Sequence, residues 1–400
     1  MQLDKVLHNV VGMSLEKAGI RSTKIDAILD MTNSLFNKSQ LTLTSIGRHL
    51  LGEADVKHKI KRVDRWLGNE GLQKEIPNIY KAIFQDLLAN RKNIEILVDW
   101  SGCCNQTECT LRASLAYSGR SITIYQEVHT TKEQQKESIH RKFLNNLKNI
   151  IPKECNVIII TDRGFGCSWF DMVIHMGWDF IGRIPGYTHY QLKNSKEWHP
   201  IKNLYDNCSN IAECFGIALL GKSNSKDLEV TLHGYKEPAK NRKAKRTRNK
   251  PLYAHLNKQY REMNTTPWVL ATSLDIKENA NKIVENYADR MQIEQNFRDD
   301  KNERWGFAMQ FSRTKTPKRL NVLLMLVAIA SYVLLLIGVA SESMNLHRKF
   351  QANTIRHRRV LSLIMLGKQV MMHLGNLLKF QNITEAIEKV ARGEVTVFVN

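Results

Sequence analysis

The stretch Asn156-Val-Ile-Ile-Ile-Thr-Asp162 decides the fold. A half-buried strand alternates apolar and polar residues, whereas four branched apolar residues in a row mark a strand covered on both faces. This run closes on a threonine and an acid. Upstream, Ile94-Glu-Ile-Leu-Val-Asp99 is a second apolar run ending in an acid. Residues 110–117 and 121–128 read as two more strands, joined by a hairpin-like Ser-Gly-Arg connection. Residues 133–150 read as a helix with Ile139, Phe143, Leu147 and Ile150 on one face. After Asp162, Arg-Gly-Phe-Gly is a turn, residues 168–176 a short helix and residues 178–184 a further strand.

Three strands, a helix, a central strand, a helix and another strand follow the order of the ribonuclease-H-like fold, an α/β class with a mixed sheet flanked by helices. On that fold Asp99 would end the first strand and Asp162 the fourth, which lies beside it. A third acid belongs on the helix after the fifth strand, yet the candidate, Glu294, comes 132 residues after Asp162. Residues 185–275 fill the gap as a β-rich insertion, with strand-like segments Leu228-Glu-Val-Thr-Leu232 and Trp268-Val-Leu-Ala-Thr272. Inside it, residues 240–250 carry seven bases in eleven positions and no acid. Such a run is a solvated loop in isolation and can clamp phosphates in a complex.

The 400 residues suffice for two or three domains, and a net charge of +20 with a pI near 9.6 calls for a polyanionic partner, nucleic acid before anionic membrane. Seven cysteines without a CxxC pair, and no secretory signal, argue against a disulfide framework or zinc site and for reduced thiols in a cytoplasm. Cys103, Cys104 and Cys109 lie close to Asp99 in sequence, but thiolates select zinc over magnesium, and they read as packing residues. Residues 1–90 are helical in character. A short helix over 41–51, an interruption at Gly52-Glu-Ala and a cap at Asp55 lead into a second helix whose Val56, Ile60, Val63 and Leu67 form a buried stripe. Lys57, Lys59, Lys61, Arg62 and Arg65 occupy the rest of its surface. Helix, tight turn, basic helix is the layout of helix-turn-helix DNA readers; the alternative is an amphipathic helix with ordinary solvated lysines. Five bases with no acid but Asp64 favour DNA.

Residues 321–340 hold twenty residues without a charge, enough to cross about 30 Å of hydrocarbon. The run is solitary and basic on both flanks, at Lys315, Lys318 and Arg319 and at Arg348 and Lys349. A helix apolar all round also suits the interior of a large protein, so it is expected to cover the sheet, with no membrane partner. The tail 345–373 is basic and reads as helical, densest at Arg356-His-Arg-Arg359.

One stretch joins the acids to the charge: Tyr287-Ala-Asp-Arg290-Met-Gln-Ile-Glu294-Gln-Asn-Phe-Arg-Asp-Asp-Lys301. Residues 278–304 contain no proline or glycine and favour a single helix. On it Tyr287, Arg290, Glu294 and Lys301 share a stripe about 60° wide. That stripe is either a solvated face with Arg–Glu support at i,i+4 or a track for a phosphodiester passing an acid.

The spacing Tyr-x2-Arg-x3-Glu-x6-Lys resembles the YREK signature of a large group of bacterial transposases, insertion-sequence family four. Leu41-Thr-Leu-Thr44, Lys57-His-Lys-Ile-Lys-Arg-Val-Asp-Arg65, Val98-Asp99-Trp100-Ser101, and Phe350-Gln-Ala-Asn-Thr354 followed by Val360-Leu-Ser are also similar to blocks of that group. The likeness runs from about residue 40 to 365. It implies a DDE transposase for cut-and-paste transposition, with nicking, hairpin formation and strand transfer. Asp99, Asp162 and Glu294 would hold two Mg²⁺ ions, Asp99 bridging both, with Mn²⁺ able to substitute. Tyr287 and Arg290 would hold phosphates near the cut and Lys301 a neighbouring one. Trp268 matches an aromatic that receives a flipped base; its alternative is packing within the insertion. Lys57, Lys61, Arg62 and Arg65 would bind DNA. The implied partners are double-stranded DNA, as terminal inverted repeats and target, and a second copy as homodimer, in a bacterial cytoplasm at the nucleoid. The expected division is 1–90 DNA-binding, 91–184 core, 185–275 insertion, 276–344 core with the glutamate helix, and 345–400 basic helical. Met291 departs from relatives that carry Trp after the motif arginine. An inactive, transposase-derived repressor is the competing reading.

Overall fold

The computed structural model describes residues 3–37, 40–89, 91–103, 107–117, 119–221, 227–238, 266–275, 279–355 and 357–394. The basic run 240–250, Cys104 and Arg356 therefore lie outside the described residues. The chain forms two compact units, residues 1–156 with 291–400, and residues 157–290.

The first unit begins with helices α1 (Leu3–Leu7) and α2 (Met13–Lys17), joined by a π turn, then α3 (Ser22–Asn37), α4 (Leu43–His49), α5 (Val56–Leu67) and α6 (Glu70–Leu88). Strands β1 (Asn93–Gly102), β2 (Glu108–Tyr117) and β3 (Arg120–Thr130) form an antiparallel meander, Asp99 opposite Arg112 and Arg112 opposite Gln126. Helix α7 (Glu137–Ile150) buries Phe143, Leu147 and Ile150 as its periodicity requires, with Ile139 half-buried.

Thr42 caps α4, its hydroxyl accepting from Ser45 N at 3.1 Å. A Cβ on Gly47 would fall 2.6 Å from Ile60 Cα, so only glycine lets α4 and α5 approach this closely. Two details differ from the sequence reading. Asp55 occupies the cap position of α5 without a side-chain hydrogen bond, and Val56 is exposed, so the buried stripe starts at half-buried Ile60 and is completed by Val63 and Leu67.

In the second unit β4 (Asn156–Thr161) pairs in parallel with β5 (Asp179–Arg183) across α8 (Cys167–His175), with Phe170 stacked on Phe180 at 4.3 Å. The β-rich segment follows as β6 (His189–Leu192), β7 (His199–Pro200), β8 (Glu213–Gly221), β9 (Leu228–Tyr235) and β10 (Trp268–Thr272). Its strands do not form a separate layer. Strand β10 pairs with β5, and the sheet runs on as β4-β5-β10-β9-β8-β6-β7, because the ladder groups of β5 need a partner and β10 supplies it.

The expected single helix over 278–304 is two. Helix α9 (Ala280–Ala288) closes at Asp289, where Arg290 N bonds to Tyr287 O, and α10 (Met291–Lys301) begins after it. The break coincides with the boundary between the units. Propensity saw no interruption because none is encoded by glycine or proline; tertiary packing of Tyr287 overrides it.

Back in the first unit, α11 (Pro317–Ser343) contains the uncharged run. It is long and apolar enough to span a membrane by length and composition, and 94% of its most apolar window is buried in the fold. It packs on β3, α3 and α6, and on α12 (Leu363–Leu374) and α13 (Phe380–Arg392). A helix covered on every side has no face left to be polar. Where α11 meets α12 the backbones touch: a Cβ on Gly338 would fall 2.1 Å from Leu363 O, and one on Gly367 2.0 Å from Leu334 O. The tail is less helical than its composition suggests, since a 3-10 turn over Leu346–Phe350 and irregular chain precede α12.

Candidate active site and nucleic-acid interface

In the first unit Asp99 lies within β1, which continues to Gly102, rather than at its end. It is buried, and its Oδ1 accepts from Trp100 N at 2.8 Å. Trp100 Nε1 donates in turn to His140 Nε2 at 3.2 Å, which requires the neutral tautomer protonated at Nδ1. Burial pushes that imidazole down to about 4. Cys103 and Cys109 are buried; burial raises the Cys109 thiol to about 12, in keeping with packing rather than reactivity.

Helix α10 crosses the meander held by polar side chains. Gln292 accepts from Tyr117 N at 2.9 Å, and Asn296 accepts from Ser121 N at 3.1 Å and donates to Ser121 O. Asp299 meets Arg120 at 2.6 Å, and Asp300 meets the fully buried Arg112 at 2.5 Å. Arg112 also lies over the Phe297 ring at 4.4 Å and donates to Gln126, whose Nε2 reaches Tyr80 and the α11 backbone at Leu324. The clamp fixes the rotation of α10. Gln292, Asn296 and Asp299 face the hairpin, while Glu294 and Lys301, within about 20° of each other, take the opposite side. Lys301 Nζ donates to Ser101 Oγ at 2.9 Å, so this side lies toward β1, where Ser101 and Asp99 share a face. Asp99, Glu294 and Lys301 are thus organised by one unit.

The second unit gathers the rest. Asp162 follows β4, its Oδ1 accepting from Gly164 N at 2.7 Å. Trp268 opens β10 opposite Tyr235, their rings 5.6 Å apart, and meets the Tyr287 ring edge-on at 5.0 Å. Tyr287 is buried, so its phenol titrates above the usual range; Arg290 and Arg183 oppose that shift and Asp162 adds to it. The Arg290 guanidinium lies 5.8 Å from the Tyr287 ring centre, and Arg183 donates to Thr266 and Pro267 carbonyls. Asp162, Trp268, Tyr287 and Arg290 are therefore brought together here. The expected four-residue stripe is divided by the break at 289–290: Tyr287 and Arg290 belong to this cluster, Glu294 and Lys301 to the clamp.

On α5, Lys57, Lys61 and Arg65 are exposed, whereas Arg62 is half-buried 3.8 Å from Asp30. Asp64, the acid among them, is bound by Arg319. The connection from α4 to α5 spans residues 50–55, longer than the tight turn of a helix-turn-helix. Sequence reasoning missed Arg112, Gln126 and Asp300. An arginine and a glutamine inside two strands of the core were the available signal.

Among the described residues no three histidine, cysteine, aspartate or glutamate side chains stand together as a ready metal site. Residues 91–333 match the family model described as transposase DDE domain. No curated protein matches the chain. Among solved structures it is similar to a piggyBac transposase synaptic complex with hairpin DNA, with 10% identity and a TM-score of 0.38 over 99% of this chain and 84% of that one. That likeness is too low to bear on the fold or the site.

Proposed function

Because the chain belongs to the transposase DDE-domain family, we propose that it catalyses cut-and-paste transposition of an insertion sequence of family four, in the manner of the transposon Tn-ten transposase. Its substrate is double-stranded DNA, both terminal inverted repeats and target, bound by a homodimer at the bacterial nucleoid. The carrying observation is the clamp on α10, which turns Glu294 and Lys301 toward the strand bearing Asp99.

Asp99, Asp162 and Glu294 would hold two Mg²⁺ ions, or Mn²⁺. The fit rests on donor class, since hard divalent ions take carboxylate oxygens; the described residues form no ready cluster, and Asp99 and Asp162 each already accept a backbone amide. When bound, such a pair activates the attacking oxygen and stabilises the leaving one. The protein's own side chains do the positioning. Lys301 and Arg290 hold phosphates as hydrogen-bond donors, and Tyr287 braces Arg290 and Trp268 from within its buried cluster. Trp268, half-exposed, offers a stacking surface to an unpaired base, worth roughly 1–3 kcal/mol. The exposed Lys57, Lys61 and Arg65 carry duplex binding, with Arg62 beside them.

Glu294→Gln keeps size and removes a charge. It should leave binding to end DNA intact while nicked, hairpin and joined products all disappear from a gel assay with Mg²⁺. A Glu294→Gln protein that nicks as well as the parent would refute the assignment.

A further inference from the structure

The basic C-terminal tract lines a partly open cavity of about 350 Å³ in the first unit. Arg348, Arg358 and Lys389 line it, together with the buried imidazole of His347. Two carboxylates reach the same space, but Glu342 is bonded to buried Arg359 at 2.9 Å and Glu394 lies 3.4 Å from Arg392. The positive charge there is therefore in excess. Lys389 already leans inward, its Nζ donating to Ser343 Oγ at 2.8 Å.

His347 is the telling member. It is only 8% exposed, and its Nδ1 is buried with no hydrogen-bond partner among the described residues. A buried polar atom left unmade costs about 1–3 kcal/mol, a cost a bound partner would remove. Burial first, then Arg348 and Arg359, hold the imidazole below its ordinary range, while Glu342 pulls it upward. Planar guanidinium forks beside an ammonium suit a tetrahedral oxyanion, which can accept from several donors at once.

We propose that this cavity is a binding site for a phosphate group, held by Arg348, Arg358 and Lys389 with His347 as a further partner, and separate from the residues assigned to cleavage. That DNA supplies the phosphate rests on the function proposed above; the site itself does not.

The 400-residue Glu294→Gln chain is the material for the test, because neither readout depends on cleavage. Failure here leaves the proposed activity standing, and failure of that activity leaves this test intact. In the first arm inorganic phosphate replaces chloride at constant ionic strength while the imidazole NMR signal of His347 is followed. A saturable shift is expected, lost in Arg348→Gln/Arg358→Gln and retained in Lys349→Gln, whose side chain is exposed beside the cavity. Thermal unfolding checks that the double variant still folds, and single Arg348→Gln, at an exposed position, serves if it does not.

In the second arm the salt dependence of end-DNA binding is compared between parent and double variant. A log–log slope flatter by about 0.9 per lost contact assigns the bound phosphate to the DNA backbone. A His347 shift with an unchanged slope assigns it to free phosphate. No shift overturns the proposal, even if the slope changes, since a slope change alone reports only diffuse charge.

Discussion

Around Glu294 and Lys301 the packing is polar and interlocked; around Tyr287 and Arg290 it is aromatic. The clamp consists of a buried ion pair, Arg112 with Asp300, a second pair at Arg120 and Asp299, and side-chain bonds to the hairpin backbone. The cluster consists of ring edges, Trp268 on Tyr235 and on Tyr287, with Arg290 against the Tyr287 ring. Hydrogen bonds of fixed direction hold a helix at one rotation. Ring contacts tolerate several geometries at small cost. Under the proposed function, Glu294 would need the first kind of support, and a surface that meets distorted DNA could use the second.

The clamp should be the more costly to break. Arg112→Met strands Asp300 in the interior, and we expect a loss of roughly 3–5 kcal/mol, measured by denaturant unfolding. Adding Asp300→Asn should recover part of it, because the orphaned charge goes too; two additive losses would mean the pair is not coupled. In the cluster, Arg290→Ala leaves all three acids in place. The first nick should persist, while hairpin and joined products fall further, by about tenfold or more if one charge-assisted contact is lost. Equal loss of all products in the gel assay would remove the distinction between the two halves of the signature.

Away from both regions, neutralising Lys57, Lys61 and Arg65 should flatten the log–log salt slope of end binding by up to about 2.7, three contacts at 0.9 each. An unchanged slope moves the duplex surface off α5. The last expectation is a pH dependence, and it concerns His140 behind Trp100. Its folded value of about 4 lies below the ordinary 6.5, so the unfolded chain takes the proton first as pH falls. The stabilisation is complete above pH 6.5 and lost progressively toward pH 4. His140→Gln, which can still accept from Trp100, should lack this part of the slope in unfolding measured across that range.

Much of this was legible in order of residues alone. The run at Asn156–Thr161 and the run ending in Asp99 are strands because their branched residues leave no polar face. The amphipathic period of α7 and the basic surface of α5 follow from spacing. The signature placed Glu294 on a helix with Lys301 on the same side, and α10 keeps that relation. The break at 289–290 was not legible: no residue there forbids helix, and α9 ends where Tyr287 packs edge-on against Trp268 of β10, a contact that no local pattern announces.

By itself, then, the sequence determined most of the elements, the charge and membership of the transposase DDE-domain family, since hydrophobic period and motif spacing are local and survive without a fold. Only the tertiary structure decided that the uncharged run of α11 is covered by strand β3 and by helices before and after it in the chain, that β10 extends the sheet from β5, and that Arg112 on β2 locks Asp300 on α10 across 188 residues of chain. Those outcomes depend on which surfaces meet. Burial removes water from a charge or a backbone group, and whether that costs or stabilises depends on the partner that arrives, which no local pattern specifies.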